Sequence, residues 1–322
     1  MKVLLAGASG ALGRAVVTEL HRAGHDVLGV VHSAAGEQIV RGLGAQPVVT
    51  DVLDRDRLLR ALDGLVADAV IHEATALKNA PTRYRSVGIT RTNQLRTTGT
   101  HHLLEAAHLI GATRFVVQSI IFGYGFVDHG DRVITEDSPF GQLRGAKSDR
   151  ATAALASAEQ QVFEYPGIEG VALRYGFVYG PGPASDRIVK MLGWRSFPIP
   201  TRGEGTFGWI YSSDAATATV AALERGRGGQ AYNIVDDEPA SWGEMFDAMA
   251  HALGARRPLR VPGQVIRLIA PFFADQMINT SMRVSNAKAK TELGWQPSMP
   301  TYHHGVDAMA AARDHDQRNR PK

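Results

Sequence analysis

Lys2-Val3-Leu4-Leu5-Ala6-Gly7-Ala8-Ser9-Gly10-Ala11-Leu12-Gly13 is the stretch that decides the fold. Lys2–Ala6 is an apolar run of strand length, and the apolar residues that follow fall at Leu12, Val16, Leu20 and Ala23, a helical stripe. A glycine turn between a strand and a helix suits a dinucleotide pyrophosphate. One glycine permits the tight turn, one lets the backbone approach the phosphates, and one lets helix and strand pack closely. The helix N-terminus adds unpaired N–H groups and the positive end of its dipole. Gly7, Ala8, Ser9, Gly10, Ala11, Leu12 and Gly13 are the candidate cofactor-binding residues of this turn.

Working outward, short apolar runs alternate with helical patterns through the first half. Strands are predicted at Lys2–Ala6, Asp26–Val31, Pro47–Thr50, Ala69–His72 and Arg114–Gln118, with helices over Leu12–Ala23, Arg55–Ala61 and Leu95–Leu109. This alternation predicts an α/β fold with a doubly wound parallel sheet. The second half is less regular. Val171–Arg174 and Ala231–Val235 read as strands, and Glu159–Phe163, Ala215–Leu223 and Trp242–Leu253 as helices. Prolines and glycines crowd residues 180–208, which reads as a loop-rich candidate lid over substrate.

The composition is that of a globular protein: 322 residues, 44% hydrophobic and 21% charged, with a formal charge of only +3. No basic stripe points to nucleic acid, and no apolar run has the length of a membrane helix, so neither partner is expected. Met1 to Ala6 is too short an apolar run for a signal peptide. Cysteine is absent, which excludes disulfides and thiolate chemistry and suits a cytoplasmic location. His101-His102 and His303-His304 lack the spacing of metal ligands, and no metal is expected.

The turn is spaced G-x-x-G-x-x-G, and in this the chain resembles the short-chain dehydrogenase/reductase superfamily, in particular its extended, epimerase/dehydratase-like branch. Further matches follow in order: Asp51 after Val48-Val49-Thr50, Ile71-His72-Glu73-Ala74, Asn93, Gly99-Thr100, Leu103-Leu104-Glu105-Ala106-Ala107, Leu173-Arg174, Val178-Tyr179-Gly180-Pro181-Gly182, Asp214, Asn233 and Leu293-Gly294-Trp295-Gln296-Pro297. The resemblance spans roughly residues 1–310. It implies a Rossmann-like dinucleotide-binding domain over residues 1–175, which also receives a strand near 231–235. Residues 176–322 would form a smaller, mainly substrate-binding portion. It further implies cofactor contacts from Asp51, Val52, Glu73, Ala74, Thr75, Asn93, Gln118, Tyr175 and Phe177.

The second strand ends Val30-Val31-His32-Ser33 without the carboxylate that would hold a ribose 2′-hydroxyl and repel a 2′-phosphate. His32 stands where many NADP-using relatives carry arginine, Ser33 offers a hydrogen bond, and Arg14 begins the helix nearby. NADP is the expected cofactor, with NAD as the alternative.

The resemblance also implies a tyrosine as proton donor and a lysine four residues later that lowers its pKa. Neither is present. Anchoring on Glu159 places Ala151 at the tyrosine position and Leu155 at the lysine position, while Phe115-Val116-Val117-Gln118-Ser119 places Ile120 or Ser119 at the serine position. Either the donor has moved, with Tyr124, Tyr175 and Ser119 as the candidate catalytic residues, or the chemistry is not hydride transfer. Asp128 or His129 in the segment after the fifth strand is a further candidate base.

For the substrate, Phe177 replaces an asparagine of the nucleotide-sugar relatives, and Arg283 resembles their late arginine. Phe122, Tyr124, Phe126, Tyr175, Phe177, Tyr179, Trp194, Phe197 and Trp209 bias the pocket toward a small apolar or aromatic molecule. The expectation is an atypical NAD(P)-dependent oxidoreductase or epimerase-like enzyme with a relocated proton donor, and a homodimer is an assembly open to it. A non-redox cyclase, lyase or isomerase on the same fold, and a non-catalytic NADP-binding regulator, are the alternatives.

Overall fold

The computed structural model describes residues 1–77, 87–146, 148–194, 198–201, 205–269, 274 and 276–318. Phe197 and Gly203 lie outside the described residues. The first half runs β1 (Lys2–Ala6), α1 (Ala11–Arg22), β2 (Asp26–Val31), α2 (Ala34–Gly42), β3 (Gln46–Val49), α3 (Arg55–Leu62), β4 (Ala69–His72), α4 (Val87–Gln94), a π turn (Leu95–Gly99), α5 (Thr100–Leu109) and β5 (Arg114–Ile120). Then come β6 (Asp128–Ile134), α6 (Asp149–Glu164), β7 (Glu169–Tyr175), β8 (Phe177–Tyr179), α7 (Pro183–Gly193), β9 (Ile199–Pro200), β10 (Thr206–Phe207), β11 (Trp209–Tyr211), α8 (Ser212–Arg225), β12 (Gln230–Ile234) and β13 (Ala240–Ser241). The chain closes with α9 (Trp242–Ala252), β14 (Arg260–Val261), α10 (Gly263–Ile269), β15 (Ser281–Val284), α11 (Ala287–Leu293) and α12 (Tyr302–Arg318).

Seven strands form one parallel sheet in the order β12-β7-β5-β4-β1-β2-β3. The order reverses at β1, so the carboxyl edge there opens a crevice of the kind that holds ligands in such sheets. The alternation of side chains along each strand supplies two apolar faces. Val3, Leu5, Val116, Val171 and Leu173 pack with Val16 and Leu20 of α1 and with Ala215, Ala218 and Ala222 of α8. On the other face Leu4, Val70, Phe115, Val117 and Ala172 pack with Leu103 and Leu104 of α5 and Ala158 and Val162 of α6. The expected doubly wound sheet is therefore present, and β12 returns to it as expected.

A third core lies outside the sheet. Ile121, Phe122, Tyr124, Phe207, Trp209, Trp242 and Phe246 gather with Met245, Met249 and Met282. Short pairings frame it: β8 with β11, β9 with β14, β6 with β15, and the antiparallel β10 with β13. Among these, Asp128–Ile134, where no strand was predicted, finds a parallel partner in Ser281–Val284. A hydrogen-bonding partner that far along the chain leaves no local sequence signal.

The glycine turn depends on contacts that a side chain would block. A Cβ at Gly13 would lie 2.1 Å from the Gly7 carbonyl oxygen, and one at Gly7 would lie 2.7 Å from the Ala74 nitrogen. Gly7 also has φ +91°, a conformation unfavourable for other residues. Gly13→Ala is expected to destabilise the chain by about 1–3 kcal/mol through overpacking, read as a lower urea midpoint with unchanged m-value.

Candidate functional site

The carboxyl edge carries the site. Gly10 N–H donates to the Gly7 carbonyl (2.9 Å), and Arg14 Nε–H donates to the Ser9 carbonyl (3.1 Å), closing the turn from both sides. Gly10 precedes α1 without a side-chain cap, so the N–H groups of the first helical turn keep their capacity to donate. Beyond β2, His32 and Ser33 are exposed. Ser33 also caps α2, its hydroxyl accepting from Gly36 N–H at 3.2 Å.

Past β3, the Asp51 carboxylate accepts from Leu53 N–H (3.0 Å) and pairs with Arg91 of α4 (2.5 Å). Val52 is buried, and its carbonyl meets the His102 ring. Along this edge Thr50 Oγ1, Glu73 Oε2, Asn93 Oδ1, Arg96 Nε and Ser119 Oγ are among the atoms buried without a partner among the described residues. Buried polar atoms are normally hydrogen-bonded. The neutral orphans on Thr50, Asn93 and Ser119, together with the glycine cradle, fit an elongated polar ligand such as a nicotinamide dinucleotide. Gly7 to Gly13 would hold its pyrophosphate, and Thr50, Asp51 and Asn93 lie along the same edge.

His72 and Glu73 end β4. Burial lowers the His72 pKa to about 4, keeping the ring neutral at physiological pH. Its Nε2 meets the Leu95 carbonyl at 3.0 Å and its Nδ1 accepts from Ala74 N–H at 3.3 Å. The first contact ties β4 to the π turn, and Gln161 of α6 adds a second tie by donating to the Thr97 carbonyl (3.2 Å). Glu73 is turned toward the α8 layer, where its carboxyl accepts from the Tyr175 hydroxyl (2.9 Å); Tyr175 also meets Thr219 Oγ1 (2.7 Å). Burial raises Glu73 to about 8, so it stays protonated at neutral pH.

The expected proton donors are differently placed. Tyr124 is buried, donates to Asn233 Oδ1 (2.7 Å) and accepts from Arg174 Nη1 (2.9 Å). Its pKa is raised to about 12, chiefly by burial. Arg174 is in turn paired with Glu159 of α6 at 2.7 Å. Tyr175 is fully buried, and burial lifts its pKa well above the ordinary value. Both hydroxyls are engaged in buried networks, Tyr124 with Asn233 and Arg174 and Tyr175 with Glu73 and Thr219. By strand alternation Ser119 shares a face with Phe115 and Val117, the α6 face, and is fully buried. Gln118 is partly buried at the same edge, as are Ala74 and Thr75. Ala151 and Leu155 are buried on α6, and Ile120 packs against the third core. Of the proposed alternative bases, His129 is lowered mainly by burial, and both Asp128 and His129 belong to β6.

Of the expected substrate residues, the fold brings Phe122, Tyr179 and Trp209 together and leaves Trp194 and Arg283 apart from them. Phe122, Tyr179 and Trp209 are interior residues of the third core, where Trp209 Nε1–H donates to the Ala240 carbonyl at 2.8 Å. Phe177 is partly buried against Trp209 and Trp242. Trp194 is 78% exposed at the end of α7, and Arg283 is exposed on β15, 3.8 Å from Asp131. The aromatic segments read as pocket lining because their sequence is loop-like. In the fold they become short strands that bury those rings against one another.

One buried charged residue near this edge was missed, and the environment of another was not foreseen. Arg96 was not singled out, although Thr92, Arg96, Gly99 and Leu103 fall at helical spacing and all are buried, so the arginine sits on an inward face. Glu73 was read as a cofactor contact, with no signal for its burial beneath the turn.

Residues 3–235 match the family described as NAD dependent epimerase/dehydratase. A 3-diazoavenalumate denitrifying reductase from a Streptomyces species is 32% identical over 95% of this chain and 99% of its own length. Thermus thermophilus UDP-glucose 4-epimerase, solved with NAD, shares the fold with a TM-score of 0.77 at 24% identity, over 99% of this chain and 100% of that one. A human epimerase family protein solved with NADPH gives 0.77 at 20% identity, over 97% and 99%.

The protonated state of Glu73 predicts a pH effect on stability. Unfolded, the carboxyl releases its proton near its ordinary value of 4.5; folded, it does so near 8. Between these values the folded state binds more protons, so this group's contribution falls as pH rises, by at most about 1.4 kcal/mol per pH unit. In urea unfolding from pH 5 to 8 the parent chain should therefore lose more stability with rising pH than Glu73→Gln does; Asp236, raised to about 9, acts in the same direction in both chains, and His72, lowered to about 4, opposes it below pH 6.5 in both.

Proposed function

The chain belongs to the NAD-dependent epimerase/dehydratase family, and from that premise we propose that it is an NADP-dependent reductase of a small, apolar or aromatic electrophile whose reduction needs no proton from the protein. Membership makes it an NAD(P)-dependent oxidoreductase/epimerase-like enzyme; the finer reading rests on one observation. At the positions where the family resemblance implies tyrosine and lysine, this chain carries Ala151 and Leu155, the serine position falls on Ile120 or Ser119, and the nearby Tyr124 and Tyr175 are held in buried networks.

A bound nicotinamide cofactor supplies a hydride. Reduction of a carbonyl leaves an alkoxide that must be protonated, so an acid is worth about 10²–10⁴ in rate. Other acceptors need none. When a hydride replaces the nitrogen of a diazonium carbon, a C–H bond forms, the C–N bond breaks, and dinitrogen departs with the bonding pair; cation and hydride balance. The Streptomyces relative is named for reductive removal of nitrogen from a diazo compound, which supports this class of acceptor. Ile120, Ala151 and Leu155 would bound the reacting end with apolar surface and offer no group that could protonate a hydride donor.

Gly7 to Gly13 would hold the pyrophosphate, with Arg14, His32 and Ser33 toward the adenosine ribose. The absence of an acid after β2 supports NADP over NAD. Asp51, Val52, Ala74, Thr75, Asn93 and Gln118 would line the rest of the cofactor, with backbone of Tyr175 and Phe177 at the far end.

Three measurements test the reading. NADPH consumption at 340 nm should be faster with an arenediazonium salt than with aryl aldehydes or ketones, and preferential turnover of ketones would overturn it. Tyr124→Phe should change diazonium turnover by less than about threefold, against the 10²–10⁴ expected from loss of an acid. In fluorescence titrations NADPH should bind more tightly than NADH.

A further inference from the structure

We propose that Arg96 is a binding residue for an oxyanion on the substrate, so that the molecule reduced at this site carries a carboxylate. The inference rests on the reductase reading and narrows its substrate class.

Arg96 lies in the π turn between α4 and α5, where one extra residue bulges the helix; such turns are frequent at functional sites. The turn is clamped between the carboxyl end of β4, through His72 and the Leu95 carbonyl, and α6, through Gln161 and the Thr97 carbonyl. Arg96 is only 7% exposed, and its Nε is buried with no acceptor among the described residues. The contrast with Arg174 is direct. That equally buried guanidinium is met by Glu159, Tyr124 and the Glu136 carbonyl. Burial alone acts on Arg96, lowering its pKa to about 10, with no carboxylate opposing the shift. It remains charged at neutral pH.

The surrounding sequence cannot answer that charge. Residues 74–104 contain no Asp or Glu, but do contain Lys78, Arg83, Arg85 and Arg91 besides Arg96. Glu73 is turned to Tyr175 on the α8 side and is protonated, and His72, close enough to feel the arginine, is neutral. A buried cation without a partner is unfavourable, and an anionic ligand removes the penalty. Ribose hydroxyls are neutral and would leave it in place. The dinucleotide's phosphates belong at the glycine turn, on the α1 side of β1. A planar guanidinium forms paired hydrogen bonds to a carboxylate.

The test uses the full chain with NADP⁺ bound and three probes: benzoate, its neutral counterpart benzamide, and inorganic phosphate. Calorimetric titration should show benzoate binding at least about tenfold more tightly than benzamide, an energy within the range of one charge-assisted contact. Phosphate should bind no better than benzamide. Arg96→Met should lose the preference for benzoate while keeping NADPH affinity within about twofold, and Arg96→Lys should keep part of it, a charge without the fork. Arg96→Met should also be at least as stable as the parent chain, since it removes an uncompensated buried charge. Equal binding of benzoate and benzamide to the parent chain would overturn the proposal, as would unchanged benzoate affinity in Arg96→Met or tighter binding of phosphate than of benzoate. A marked loss of stability in Arg96→Met would mark a structural arginine and overturn it too. Failure of the parent chain to bind NADPH would instead count against the cofactor reading, and the benzoate and benzamide titrations without nucleotide would still decide the role of Arg96.

Discussion

The ion pair of Arg174 and Glu159 is the joint on which the arrangement turns. Arg174 sits in β7, in register with Ser119 of β5 on one side and Asn233 of β12 on the other. Its guanidinium reaches Glu159 on α6 and the Tyr124 hydroxyl, and Tyr124 passes the contact on to Asn233, whose amide donates to the Ser285 carbonyl beyond β15. Glu136, after β6, closes the ring by accepting from Asn233 N–H. One buried charge pair thus registers the sheet, a flanking helix and both strands of the remote β6–β15 pairing. Such a pair adds little net stability, yet removing one partner leaves an uncompensated charge, so its worth lies in fixing a single geometry.

Charge is distributed unevenly along the crevice, and that follows from burial. The two titratable side chains at the end of β4 are both held neutral, His72 by losing its proton and Glu73 by keeping one. Arg174 is neutralised by Glu159. With His72 and Glu73 neutral and Arg174 paired, the charge on Arg96 meets fewer competing fields from these neighbours and counts for more.

The seven-stranded sheet was legible because its signals are local. Apolar strand runs, helical stripes and a glycine turn each declare themselves within a dozen residues. The third core was not, since two- and three-residue strands such as β10 and β11 carry no periodicity, and β6 depends on a partner in Ser281–Val284. Phe122, Tyr179 and Trp209 were read as pocket lining because aromatic rings in loop-like sequence are compatible with either a pocket or a core, and only packing separates the two. The missing Tyr-x-x-x-Lys pair was readable as an absence. That Tyr124 and Tyr175 are held in buried networks was not readable, because their partners Asn233, Arg174, Glu73 and Thr219 come from four separate parts of the chain.

The place of β12 at the edge of the sheet bears on how the chain is made. Val16 and Leu20 of α1 are covered by α8, and β7 gains its outer neighbour only from residues 230–234. During synthesis the glycine turn and the first five sheet strands leave the ribosome long before those coverings exist. A nascent chain halted before α8 exposes an apolar helix face and an unpaired strand edge together, the combination that invites aggregation. The dinucleotide half is therefore not a unit that matures first and waits for the rest. Its completion is deferred until the third core has been threaded between β7 and β12, so the two halves are obliged to finish together.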